Sequence, residues 1–91
     1  MREIVYSKEY KKDIKKARRQ GRDETELDEV IYKLANDIPL PISKKDHELK
    51  GKFKGIRECH VSPDWLLLYN KENGALNILN LLRLTSHSEI F

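Results

Sequence analysis

The apolar residues of this chain change their rhythm halfway along it. The N-terminal half follows the helical period and the C-terminal half alternates. Glu3-Ile4-Val5-Tyr6 is short, β-prone and close to the terminus, which predicts an edge strand. Ser7 is placed to cap a helix over residues 8–20, whose apolar stripe is Tyr10, Ile14 and Ala17. Gly21 suits its left-handed C-terminal position. Asp23-x-x-Glu26 resembles a capping box. Leu27, Val30, Ile31, Leu34 and Ile38 then recur at i, i+3, i+4, i+7 and i+11, the one buried face of a second helix that Pro39 and Pro41 end.

After a long polar connection over residues 39–54 the period becomes two. Cys59 and Val61 share one side of a strand, and Glu58 and His60 the other. Ser62-Pro63-Asp64 marks a turn, Trp65–Tyr69 a buried central strand, and Asn73-Gly74 a tight hairpin. The last strand is expected over residues 75–84. Leu76, Ile78, Leu82 and Leu84 fall on one side, and Asn77, Leu79, Leu81 and Arg83 on the other. Extending the alternation puts Arg83, Thr85 and His87 together. The expectation is a single α+β domain over 1–91: an N-terminal strand, a two-helix hairpin, then an antiparallel meander, with the helices on one sheet face.

Composition and charge narrow the class. Apolar residues make up 38% of the chain and charged residues 36%, so the surface is charge-dense. With one cysteine, Cys59, no internal disulfide can form, which suits a reducing compartment. No apolar run is long enough to span a membrane, and the N-terminus has no apolar signal core, so a cytoplasmic location is expected. The net charge of +3 is unevenly spread: +6 over residues 1–22, −5 over 23–37, +4 over 38–57 and −2 over 58–91. Two basic segments flank an acidic one, an arrangement that attracts polyanions or an acidic partner, although solvated helix faces give the same pattern. The second basic segment lies beside histidines.

The three histidines, His47, His60 and His87, come from the basic loop, an inner strand and the C-terminal segment. Asp64 follows the strand that bears His60, and Lys44, Lys45, Lys50, Lys52, Lys54, Arg57 and Arg83 surround the same region. Cutting RNA without a metal needs three things. A base must take the ribose 2′-hydroxyl proton, an acid must protonate the departing 5′-oxygen, and cations must hold the phosphate. Histidine suits both proton roles because its free pKa is about 6.5. Arginine's fork binds two phosphate oxygens at once. Asp64 could orient an imidazole or accept a proton itself.

Surface or structural histidines are the plainer alternative. A zinc site from these residues is disfavoured because Cys59 and His60 point to opposite faces. A Cys59 nucleophile is disfavoured because the residue alternates with the core. No metal or cofactor is expected. Phe91, beyond the last strand, could stack on a base or fill an apolar gap.

The run Lys45-Asp46-His47-x-Leu49-x-Gly51-x-x-Lys54-Gly55, followed by Arg57-Glu58-Cys59-His60-Val61-x-Pro63-Asp64-Trp65-x-Leu67-x-Tyr69, resembles the YafQ branch of the RelE/ParE toxin superfamily. So does the ending Arg83-x-Thr85-x-His87-Ser88-x-x-Phe91. The resemblance covers nearly the whole chain and implies the RelE-like microbial RNase fold. It also implies the toxin half of a type II toxin–antitoxin pair, cutting mRNA in the ribosomal A site by 2′-hydroxyl attack without metal.

The implied functional positions are His47, His60, Asp64, His87 and Phe91, with His87 as acid and His47 or Asp64 as base. His60 and Arg83 would lie near the phosphate. The implied partners are a cognate antitoxin, often acidic and partly disordered, and the mRNA and 16S rRNA of the ribosome, with no membrane. Glu58 stands where family members carry Asp, a mild departure. Two other readings remain: a ParE-like inhibitor of DNA gyrase that cleaves nothing, and a non-catalytic RNA-binding module.

Overall fold

The computed structural model describes residues 1–86; the segment 87–91, with His87 and Phe91, lies outside the described residues. The elements run β1 (Glu3–Tyr6), α1 (Lys8–Arg19), α2 (Thr25–Ala35), β2 (His47–Glu48), β3 (Arg57–Ser62), β4 (Trp65–Glu72) and β5 (Ile78–Ser86), with 3₁₀ turns at Ile42–Lys44 and Gly51–Phe53. The strands form one sheet in the order β1-β5-β4-β3-β2. β1 runs parallel to β5 at one edge, and all other neighbours are antiparallel.

Both helices end as the local chemistry requires. Ser7 Oγ accepts the Tyr10 N–H, 2.9 Å away, and caps α1. At its other end Gly21 takes φ +74°, and the N–H groups of Gly21 and Arg22 return to the carbonyls of Arg18 and Ala17. α2 stops the same way, with Asp37 at φ 56° and Ile38 N–H on Lys33 O at 2.8 Å. The helix therefore closes three residues before Ile38, which is 41% exposed instead of continuing the buried stripe. The start of α2 is not a capping box. Asp23 Oδ1 accepts both the N–H and the hydroxyl of Thr25, an Asx turn one residue ahead of the helix.

The core lies between the helices and one sheet face. Tyr10, Ile14, Ala17, Leu27, Val30, Leu34 and Ala35 pack on Cys59, Val61, Trp65, Leu67, Tyr69, Leu79, Leu81 and Leu84. Leu84 belongs to this face because the β4–β5 register slips: Leu68 faces Arg83 but Tyr69 faces Leu81. Leu82 is the extra residue of a β-bulge, and it inverts the alternation expected for Leu82 and Leu84. The predicted tight turn at Asn73-Gly74 is also longer. Glu72 pairs with Ile78, so residues 73–77 form the loop, and Leu76 within it is 63% exposed. Arg2, only 9% exposed, ties that loop to the end of α2 through Asp37 Oδ1 (2.7 Å), Asn73 Oδ1 (2.7 Å) and Glu72 O (3.1 Å).

Candidate active site

The sheet face turned away from the helices carries different chemistry. Across it, His47 pairs with Glu58, Glu58 with Leu68, and Leu68 with Arg83. One step along, His60 pairs with Leu66, and Leu66 with Thr85. Side chains at matched register positions share a face. His47, Glu58 and Arg83 thus stand in one cross-strand row and His60 in the next. Asp64 is exposed in the two-residue turn between β3 and β4. A second bulge sits here, since His60 pairs with Leu66 but Ser62 with Trp65, leaving Val61 as the extra residue. Bulges recur where a strand must re-aim its side chains.

His47 is not on a structureless loop. Residues 47–48 add a two-residue strand to the β3 edge, and Leu49 N–H continues the pairing onto Ile56 O at 2.8 Å. Nδ1 of His47 lies 2.6 Å from Lys45 O. A carbonyl can only accept, so Nδ1 carries the proton and the neutral ring keeps its lone pair on Nε2. Nε2 is 3.6 Å from Glu58 Oε1, too long for a hydrogen bond. Glu58 is 3% exposed, and its Oε2 is a buried atom with no partner among the described residues.

The cations divide into two groups. Lys44 Nζ is engaged by Glu26 (3.0 Å) and Val61 O (2.8 Å). Arg57 Nε donates to Asp46 Oδ1 at 3.2 Å. Arg83 meets Asp13 of α1 at 2.8 Å, and Asp13 also takes the Leu84 N–H where β5 has passed the end of β1. Lys45, Lys50, Lys52 and Lys54 are exposed along the connection.

A cleft of about 300 Å³ lies between Glu26, Lys44, Lys45, His60, Ser62 and Pro63. A larger one of about 480 Å³ lies between α1, α2 and β1, but no histidine lines it, so the smaller cleft is the one that fits proton-transfer chemistry. Cys59 is fully buried, and burial pushes its thiol up to about 12, so it stays protonated and unreactive. Among the described residues no three His, Cys, Asp or Glu side chains are grouped to hold a metal ion. No helix among them is long and apolar enough to cross a membrane.

Sequence reasoning placed Glu58 on the His60 side of its strand and noted it as a departure from pattern, but gave no sign that its carboxylate is buried. It gave Asp46 no role, and Tyr69 only a place in the core.

A five-stranded mixed sheet with two helices on one face, and a far face bearing histidines beside a lysine-rich connection, defines an α+β protein of the RelE-like toxin fold. The family described as bacterial toxin of type II toxin–antitoxin system, YafQ, matches residues 2–91, and the chain belongs to it. The mRNA interferase toxin YafQ of Escherichia coli strain K12 is 38% identical over 91 residues, covering 99% of this chain and 96% of that protein. A copper-bound mutant toxin from Helicobacter pylori superposes with a TM-score of 0.93 at 43% identity, with both chains covered completely. YafQ in the E. coli DinJ–YafQ toxin–antitoxin complex gives 0.87 at 38% identity, over 99% of this chain and 97% of that one.

Proposed function

We propose that this chain is an mRNA interferase, an endoribonuclease that enters the ribosomal A site in the cytoplasm and cuts the messenger there by 2′-hydroxyl attack. The observation that carries the reading is the far-face row of His47, Glu58 and Arg83 with His60 one step along, beside the exposed lysines. His47 Nε2, or Asp64, takes the 2′-hydroxyl proton. The 2′-oxygen then attacks phosphorus, the P–O5′ bond breaks, and His87 protonates the leaving 5′-oxygen. The products are a 2′,3′-cyclic phosphate and a 5′-hydroxyl, with no metal in the sequence of steps.

His60 and Arg83 stabilise the charge that builds on the phosphate oxygens. Lys45, Lys50, Lys52 and Lys54 bind RNA phosphates whatever the sequence, and Lys44 and Arg57 brace that segment. Phe91 stacks on a nucleotide base.

The same family supplies the partner reading. E. coli YafQ is solved with the antitoxin DinJ, and this chain is neutralised by its own cognate antitoxin. The test is primer extension on a reporter messenger in a purified translation system, with wild type and His87→Ala. Translation-dependent cuts by wild type alone uphold the reading. Growth arrest that persists with all three histidines replaced, and no cuts, would point instead to a gyrase-directed toxin.

A further inference from the structure

His47 rests on a strand of two residues, His47–Glu48, at the sheet edge. So short an edge strand holds its side chains weakly. The turn before it is also unfavourable: Lys45 adopts φ 50° and ψ 42°, a left-handed conformation that is costly for a residue other than glycine. Such a conformation persists only where its surroundings fix it. Here it matters, because it aims the Lys45 carbonyl at His47 Nδ1.

What fixes it comes from the opposite side of the sheet. Tyr69 on β4 is 1% exposed, and its ring belongs to the helix-side core. Its hydroxyl donates to Asp46 Oδ1 at 2.6 Å. Arg57 Nε donates to the same carboxylate oxygen at 3.2 Å and lies 3.3 Å from the phenol oxygen. Burial and the Asp46 charge both push the Tyr69 hydroxyl above its ordinary range, so it remains a donor. Asp46 is the residue between the left-handed Lys45 and His47. Because successive strand side chains alternate in face, anchoring Asp46 on the helix side directs His47 to the other.

We propose that the Tyr69 hydroxyl, acting through Asp46, is a positioning residue for His47: it holds the Lys45-Asp46 turn so that His47 Nδ1–H is bound and Nε2 is left as the proton acceptor. This rests on the reading of His47 as a base in RNA cleavage, and it adds two residues that touch no substrate. It also gives Arg57 a place in the tether.

Tyr69→Phe removes one buried oxygen and leaves the ring in the core. Two readouts separate the tether from the chemistry. Ring ¹⁵N shifts of His47, assigned against His47→Ala, report which nitrogen carries the proton. Cleavage kinetics on programmed ribosomes report the rate. In wild type Nδ1 is protonated. In Tyr69→Phe the ring moves toward the Nε2–H form, and kcat falls about 10- to 100-fold with KM within about twofold.

Asp46→Ala behaves like Tyr69→Phe, and the double variant is no worse than either. Asp46→Asn keeps the acceptor oxygen and retains the wild-type tautomer and most of the rate. An unchanged tautomer in folded Tyr69→Phe overturns the tether. A shifted tautomer with undiminished cleavage upholds the tether and overturns His47 as the base.

Discussion

The two faces of the sheet are built from the same strands but under different demands. On the helix side, Leu67, Leu79 and Leu81 are completely buried among apolar neighbours, and every substitution there trades one packing for another. On the far side, Glu58 is buried almost as deeply, yet one of its oxygens has no partner among the described residues, and His47 is half exposed on a minimal strand. A face selected only for stability would not retain a buried, half-satisfied carboxylate, because such a group costs about 1–3 kcal/mol. The near face holds the molecule together, and on the proposed function the far face carries the chemistry at some cost to that stability.

Two substitutions break the comparison most sharply. His60→Ala is expected to lower the single-turnover cleavage rate about 10²–10³-fold while shifting the unfolding free energy by about 0.5 kcal/mol or less. Leu67→Ala should do the reverse. Removing a fully buried side chain costs about 2–5 kcal/mol in urea denaturation, and the fraction that remains folded should cleave at the wild-type rate. If His60→Ala unfolds the protein, or if Leu67→Ala abolishes cleavage by folded molecules, the faces do not divide the work in this way.

The near face was legible in the sequence and the far face only in outline. Helical and alternating periods located both helices and named Tyr10, Leu27, Val30, Leu34, Cys59 and Val61 as inward-facing, because burial of apolar area leaves a periodic record. Periodicity could not foresee the bulges at Val61 and Leu82, where one extra residue shifts the phase of everything beyond it. It could not foresee that α2 closes at Ala35, since Asp37 rather than a glycine occupies the left-handed position. The polar connection over residues 39–54 has no period to read, so the β2 strand that places His47 opposite Glu58 was invisible, as was the Asp46 contact that anchors it. The histidines stand out in the sequence by residue type alone. Their mutual placement depends on strand register.

A smaller effect sharpens the contrast by improving one property at the expense of the other. Glu58→Leu replaces a carboxylate, one of whose oxygens lacks a partner among the described residues, with an apolar group of similar reach. We expect unfolding to become harder by about 1 kcal/mol in urea. Cleavage should weaken, because the negative charge 3.6 Å from His47 Nε2 disappears. Greater stability with lower activity is the signature of a far-face residue; a loss of both would mean that Glu58 is simply part of the core.

The smallest effect belongs to neither face but to the rim that joins them. The ammonium of Lys71 at 2.8 Å and the guanidinium of Arg2 at 2.7 Å hold the Asp37 carboxyl down to about 2, from an ordinary value of 3.8. A carboxylate whose folded value is depressed contributes stability above its unfolded value, and that contribution is lost as pH falls through the folded one. The Asp37 contribution is therefore complete above about pH 4 and gone near pH 2. Asp37 is exposed, so solvent screening keeps the contribution small. In Asp37→Asn, the gap in thermal midpoint from wild type should be constant between pH 5 and 8 and should narrow as pH drops from 4 towards 2, with cleavage untouched at neutral pH. Asn and Asp fit the left-handed turn at residue 37 alike, so a gap that persists unchanged at the acid end would show that the difference does not come from the Asp37 charge.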